Sequence, residues 1–129
     1  MQGCALASEG MDGLTALQTH KGMVGVIGGQ GAFGRWCVRL FEQQGHPVQI
    51  SDLHSPLSNV DLIRSSSVVV VAVPIGATAA VLAEVAEHIR PNSLLVELTS
   101  VKTPFVDALS GIPAPVLSLH PMFSPRVRD

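Results

Sequence analysis

"VGVIGGQGAFG", residues 24–34, sets Gly29, Gly31 and Gly34 directly behind a β-branched run and at the mouth of a helical pattern. In a strand that turns sharply into a helix, the first glycine permits the tight turn and the second lets backbone approach a pyrophosphate. The third allows helix and strand to pack closely. The helix N-terminus then faces the same point with unpaired N–H groups and a positive dipole end. G-x-G-x-x-G alone is weak evidence, so the context decides. The second β-branched run ends in Asp52, eighteen residues after Gly34, and the dinucleotide fingerprint expects an acidic residue about 20 residues on to accept from a ribose 2′-OH. Asp is also common as a cap or turn residue after a strand, but that reading leaves the spacing unexplained. Gly29, Gly31, Ala32, Phe33, Gly34 and Asp52 are therefore candidate cofactor-binding residues. A carboxylate repels a 2′-phosphate, which favours NAD over NADP, with His54 and Ser55 beside it softening that preference.

Outward from this stretch, β-branched runs alternate with helical patterns, the signature of βαβ units around a buried parallel sheet. The strand candidates are 23–27, 47–51, 67–73, 93–98 and 115–119. Phe33, Trp36, Cys37, Leu40 and Phe41 share one helical face after the glycines, and Gly45 ends that helix. Val81, Leu82, Val85 and Ile89 repeat the pattern on an Ala-rich helix that stops before Pro91. A third helix is expected near Pro104 with Thr103 as its cap, and 56–66 has room for one or two helical turns. The expected fold is α/β, a Rossmann-type doubly wound, mostly parallel sheet in a single domain over 23–129, behind a flexible leader at 1–22.

Composition excludes several classes of function. With 129 residues, 47% hydrophobic and 14% charged, the chain has the material for one core and too little charge to stay disordered. The formal net charge is −2, and the scattered basic residues offer no dense face for nucleic acid. The first 22 residues lack the basic start and apolar stretch of a secretory signal. "VVVVAVPI" falls short of the ~18 apolar residues of a membrane span, so no membrane association is expected. Cys4 and Cys37 stand in unlike contexts, and a reduced, cytoplasmic compartment is the simpler reading. Histidines 20, 46, 54 and 88 make no metal-binding spacing, so no metal is expected. A G-x-S-x-G hydrolase elbow is absent.

Three later stretches, "VVVVAVPI" (68–75), "VELTSVK" (96–102) and "LHPMF" (119–123), taken with the glycine fingerprint, resemble the nucleotide-binding domain of the prephenate and arogenate dehydrogenases. The resemblance spans residues 23–125, and "SVK" followed by "HPMF" is its most specific part. It implies an NAD-dependent oxidoreductase of tyrosine biosynthesis that oxidatively decarboxylates prephenate or arogenate, a small-molecule substrate. By that resemblance His120 matches the catalytic histidine and Ser100 a serine near the substrate hydroxyl. Lys102 belongs to the neighbourhood of the site, and Pro74 and Ile75 match the turn where backbone approaches the cofactor. A histidine of ordinary pKa near ~6.5 can hold its neutral form and accept the hydroxyl proton. Pro121 restricts His120 to extended backbone, and the carboxyl end of a fifth strand is where ligands of open α/β sheets bind. The bland alternatives are a loop histidine and a helix-capping serine.

The sequence also departs from the family. Ser118 and Ser124 stand where glycine is usual. The chain ends at Asp129, before the helical domain that makes the family's homodimer and before its substrate-carboxylate arginine, so full activity is expected to need that domain. A non-catalytic dinucleotide-binding or regulatory module and another Rossmann reductase, such as an imine or hydroxyacid reductase, stay open as alternatives.

Overall fold

A computed structural model describes residues 22–99 and 103–119. Five strands, β1 (Val24–Ile27), β2 (Val48–Ser51), β3 (Val68–Val71), β4 (Leu94–Glu97) and β5 (Val116–Ser118), form one sheet in the order β2-β1-β3-β4-β5. Every neighbouring pair is parallel. Each strand falls inside its sequence-expected segment and is shorter by one to three residues. β3 shows why: Ala72 N still donates to Ile27 O at 2.9 Å, but the chain leaves the sheet towards Pro74, which cannot donate to a ladder.

Four helices connect the strands: α1 (Ala32–Gln43), α2 (Asn59–Ser65), α3 (Ile75–His88) and α4 (Val106–Ser110). Strand alternation divides the core into two layers. Val24, Val26, Val68 and Val70 pack with Cys37 and Phe41 of α1. Ile27, Val69, Val71 and Leu95 pack on the other face with Leu62 and Ile63 of α2 and Val81, Leu82 and Val85 of α3. Right-handed crossovers require this split, because the step from β1 to β2 runs one way across the sheet and every later step runs the other. β3 is central, and its four valines are 0–2% exposed; a side chain of that size contributes about 1.5–3 kcal/mol when fully buried. The Cys37 thiol belongs to this packing, since burial pushes its pKa up to about 12.

Helix ends follow local chemistry. α1 closes with Gly45 at φ +87°, in the left-handed region glycine tolerates. Ser58 caps α2, its side-chain oxygen accepting from Asp61 N at 3.1 Å. Ser58→Ala is expected to lower stability by about 1 kcal/mol, read as a shift of about 3–5 °C in a thermal melt.

The third expected helix is the exception. Thr103–Phe105 form a 3₁₀ turn and α4 begins only at Val106, with Phe105 rather than Thr103 at its N-cap position. Phe105 leaves helical geometry (φ −114°, ψ 6°) and enters the core beside α3, so burial of the ring overrides an early helix start. No helix among the described residues is long and apolar enough to cross a membrane.

Candidate functional site

The sheet order reverses at β1, with β2 on one side and β3 on the other, and this switch point opens a crevice at the carboxyl ends of the strands. A cavity of about 810 Å³ occupies it, large enough for a cofactor-sized ligand. Its walls come from three segments: the turn after β1, the loop from Asp52 into α2, and the stretch from Ala72 along α3 to Glu84. All described wall residues lie between Ile27 and Glu84.

The turn is held by backbone. Ser51 O accepts from Gly28 N at 2.8 Å and from Gly29 N at 3.4 Å, while Gly31 N donates to Gly28 O at 3.1 Å. The sequence assigns the tight turn to Gly29, but the positive φ, +88°, falls on Gly28. A Cβ at Gly28 would also lie 2.5 Å from Ala72 O, so the turn residue is one position earlier than the G-x-G-x-x-G reading puts it. Gly34 fills its expected role, since a Cβ there would sit 1.9 Å from Gly28 O. Gly31 is different: a Cβ would meet only Gly28 O, at 3.5 Å. The chain's own packing does not demand glycine at 31, which is what a position kept bare for a ligand looks like. Gly31 is also the N-cap of α1, without a side-chain cap and with no acidic residue in the first turn, so the helix presents open amides to an anion.

Asp52 stands beside this turn. Its Oδ2 accepts from Gln30 N at 2.9 Å and its Oδ1 from Leu53 N at 2.8 Å. A carboxylate has about four lone-pair sites, so both oxygens keep capacity for a ligand hydroxyl. Ser55 braces the loop, its hydroxyl oxygen accepting from Asp52 N at 2.8 Å.

Of the sequence-derived residues, the structure brings Gly31, Asp52 and Pro74 to the cavity wall. Gly29 is buried in the turn behind it, Ala32 and Phe33 open α1, and Gly34 is buried in the first turn of that helix. Pro74 is the N-cap of α3 and Ile75 its exposed first residue, beyond the wall. Ser100, Lys102 and His120 lie outside the described residues. Sequence reasoning missed Gly28, the apolar wall of Leu57, Val73, Ala77 and Val81, and the polar pair Asn59 and Glu84. Gly28 was findable in the G-G-x-G run. The apolar wall carried only an ordinary core periodicity, and the pair carried no local signal.

Fold and crevice together define an open-sheet α/β domain of the nucleotide-binding class. The family described as "Prephenate dehydrogenase, nucleotide-binding domain" matches residues 42–128, and the chain belongs to that family. It is 30% identical over 118 residues to the T-protein of Haemophilus influenzae, covering 91% of this chain and 31% of that protein. It is likewise 30% identical over 121 residues to a probable arogenate/prephenate dehydrogenase of Methanocaldococcus jannaschii, covering 79% of this chain and 27% of that one. The chain thus spans under a third of the length of these curated relatives. Among solved structures, an imine reductase of Bacillus cereus superposes with a TM-score of 0.66 at 17% identity, over 81% of this chain and 42% of its own. At that identity the likeness shows the fold alone.

Proposed function

We propose that this domain binds NAD in the crevice and forms the cofactor half of a prephenate or arogenate dehydrogenase. The observation that carries the reading is the pairing at one cavity mouth of a bare Gly31 at a helix N-terminus with the Asp52 carboxylate. The glycine turn and the first amides of α1 would hold the pyrophosphate. Asp52 would accept from the ribose hydroxyls and disfavour a 2′-phosphate. Bound NAD supplies a hydride acceptor.

The remaining work falls to side chains that follow the sheet in sequence. Ser100 comes three residues after β4 and His120 two residues after β5. In this reading His120 takes the proton of the ring hydroxyl as the hydride leaves the same carbon, and Ser100 hydrogen-bonds at that hydroxyl. Carbon dioxide departs as the ring becomes aromatic. A positioned base of this kind contributes roughly 10²–10⁴-fold to a rate. The domain assignment 23–129, a homodimer built by a further helical domain and a cytoplasmic site of action belong to the same proposal.

Calorimetric titration of NAD into the chain tests it. Saturable binding is expected, and heats of dilution alone would sink the reading. With prephenate added, NADH absorbance is expected to rise slowly or not at all for the chain by itself. Fast turnover would show that the part of the relatives beyond this chain is dispensable, and that a substrate-binding arginine outside it is not needed.

A further inference from the structure

The glycine turn and Asp52 account for the phosphate and ribose ends of the crevice, leaving the part between the 53–60 loop and α3. There the wall is largely apolar, through Leu57, Val73, Ala77 and Val81, and its polar side chains are Ser55, Ser58, Asn59 and Glu84. A flat aromatic ring fits between the apolar side chains; the Ser55 and Ser58 hydroxyls accept from the backbone of the loop and of α2, while the pair Asn59 and Glu84 is oriented rather than loose. Ser51, with 0% exposure, donates its hydroxyl to Asn59 Oδ1 at 2.7 Å. Asn59 Nδ2 in turn donates to Glu84 Oε1 at 2.9 Å. The chain of donors runs one way, from a rigid strand end to the carboxylate. Among the described residues Glu84 Oε2 receives no donor, so the relay ends in an unfilled acceptor on a residue of the cavity wall.

Resting on the NAD reading, we infer that Glu84, held by Ser51 and Asn59, is the base-reading residue of this crevice. It selects a purine bearing an amino group at the 6-position. The exocyclic amine of adenine is a donor and satisfies Glu84 Oε2. A carbonyl at the same position is an acceptor and leaves two acceptors face to face. A site built to receive an N–H rejects the analogue that lacks it because its own buried polar group is left unpaired. Glu84 is half-buried, which strengthens the contact relative to one in open water.

The test compares NAD with nicotinamide hypoxanthine dinucleotide, which differ only at this edge of the purine, by calorimetric titration of the chain. The wild-type chain is expected to bind NAD at least about tenfold more tightly, the scale of one hydrogen bond to a charged group. In Glu84→Gln the amide oxygen can still accept from Asn59 while the amide nitrogen can donate to a carbonyl, so the preference is expected to shrink to within about threefold. Equal affinities in the wild-type chain overturn the inference while leaving NAD binding intact. An unchanged preference in Glu84→Gln also overturns it and makes Glu84 a tie between α2 and α3. If neither dinucleotide binds, the NAD reading fails and takes this inference with it. Should the variant lose its fold, the wild-type ratio alone decides.

Discussion

Gly34→Ala is expected to destabilise the domain by about 3 kcal/mol, the upper end of the usual overpacking cost, and to abolish NAD binding. The added Cβ would lie 1.9 Å from Gly28 O, 2.7 Å from Gly28 C and 2.7 Å from Gly29 Cα. All three are backbone atoms, so no rotamer change relieves the clash, and α1 must move away from the turn. That turn is fixed from behind by the carbonyl of Ser51 in the sheet, so the helix is the part that yields. Cys37 and Phe41 then lose their seats on β1 and β3. Denaturant titration measures the loss, which corresponds to a fall in Tm of roughly 10–15 °C for a domain of this size. Gly31→Ala is the control: its Cβ meets one atom at 3.5 Å, so stability should hold within about 0.5 kcal/mol while NAD binding weakens. A Gly34→Ala protein as stable as the parent would show the helix–turn contact to be looser than described.

Asp52→Ala is expected to weaken NAD binding about 30-fold, the worth of charge-assisted hydrogen bonds to ribose hydroxyls, and to erase the preference over NADP. The carboxylate has a second duty, because its Oδ2 holds Gln30 N in the turn. Asp52→Asn separates the two. Its one amide oxygen can still accept from Gln30 N, giving up the exposed contact from Leu53 N, and the charge that repels a 2′-phosphate is gone. The asparagine variant should therefore lose no more than about 1 kcal/mol of stability, the worth of one hydrogen bond, while losing most of its NAD-over-NADP ratio, measured by parallel calorimetric titrations. Equal NAD affinity in the parent and the alanine variant would remove Asp52 from the site.

The parts of this domain that were legible in the sequence are those where one requirement acts alone. A strand buried on both faces must be continuously apolar, and β3 is four valines. A helix lying on a sheet must repeat at 3.6 residues, and Val81, Leu82 and Val85 do so and are buried. Gly34 was legible because only glycine fits against Gly28 O. The start of α4 was misread because two requirements compete at Phe105, local helix propensity and burial of its ring, and sequence shows only the first. The turn at Gly28 was displaced by one residue because adjacent glycines satisfy the same pattern in two registers. Asn59 and Glu84 were invisible for a different reason. They stand 25 residues apart on separate helices, and only the pairing of β1 with both β2 and β3 brings those helices together.

The crevice wall has one further consequence. Its described residues all fall within Ile27–Glu84, so β4 and β5 supply none of them and lie farther along the same sheet. A single continuous half of the chain holds everything proposed to grip the cofactor, while the connections after β4 and β5 hold everything proposed to act on the substrate. The two can therefore diverge independently: descendants of one ancestral domain could keep the first sixty residues of the sheet and rewrite the rest for a new reaction, without relearning how to bind a nucleotide.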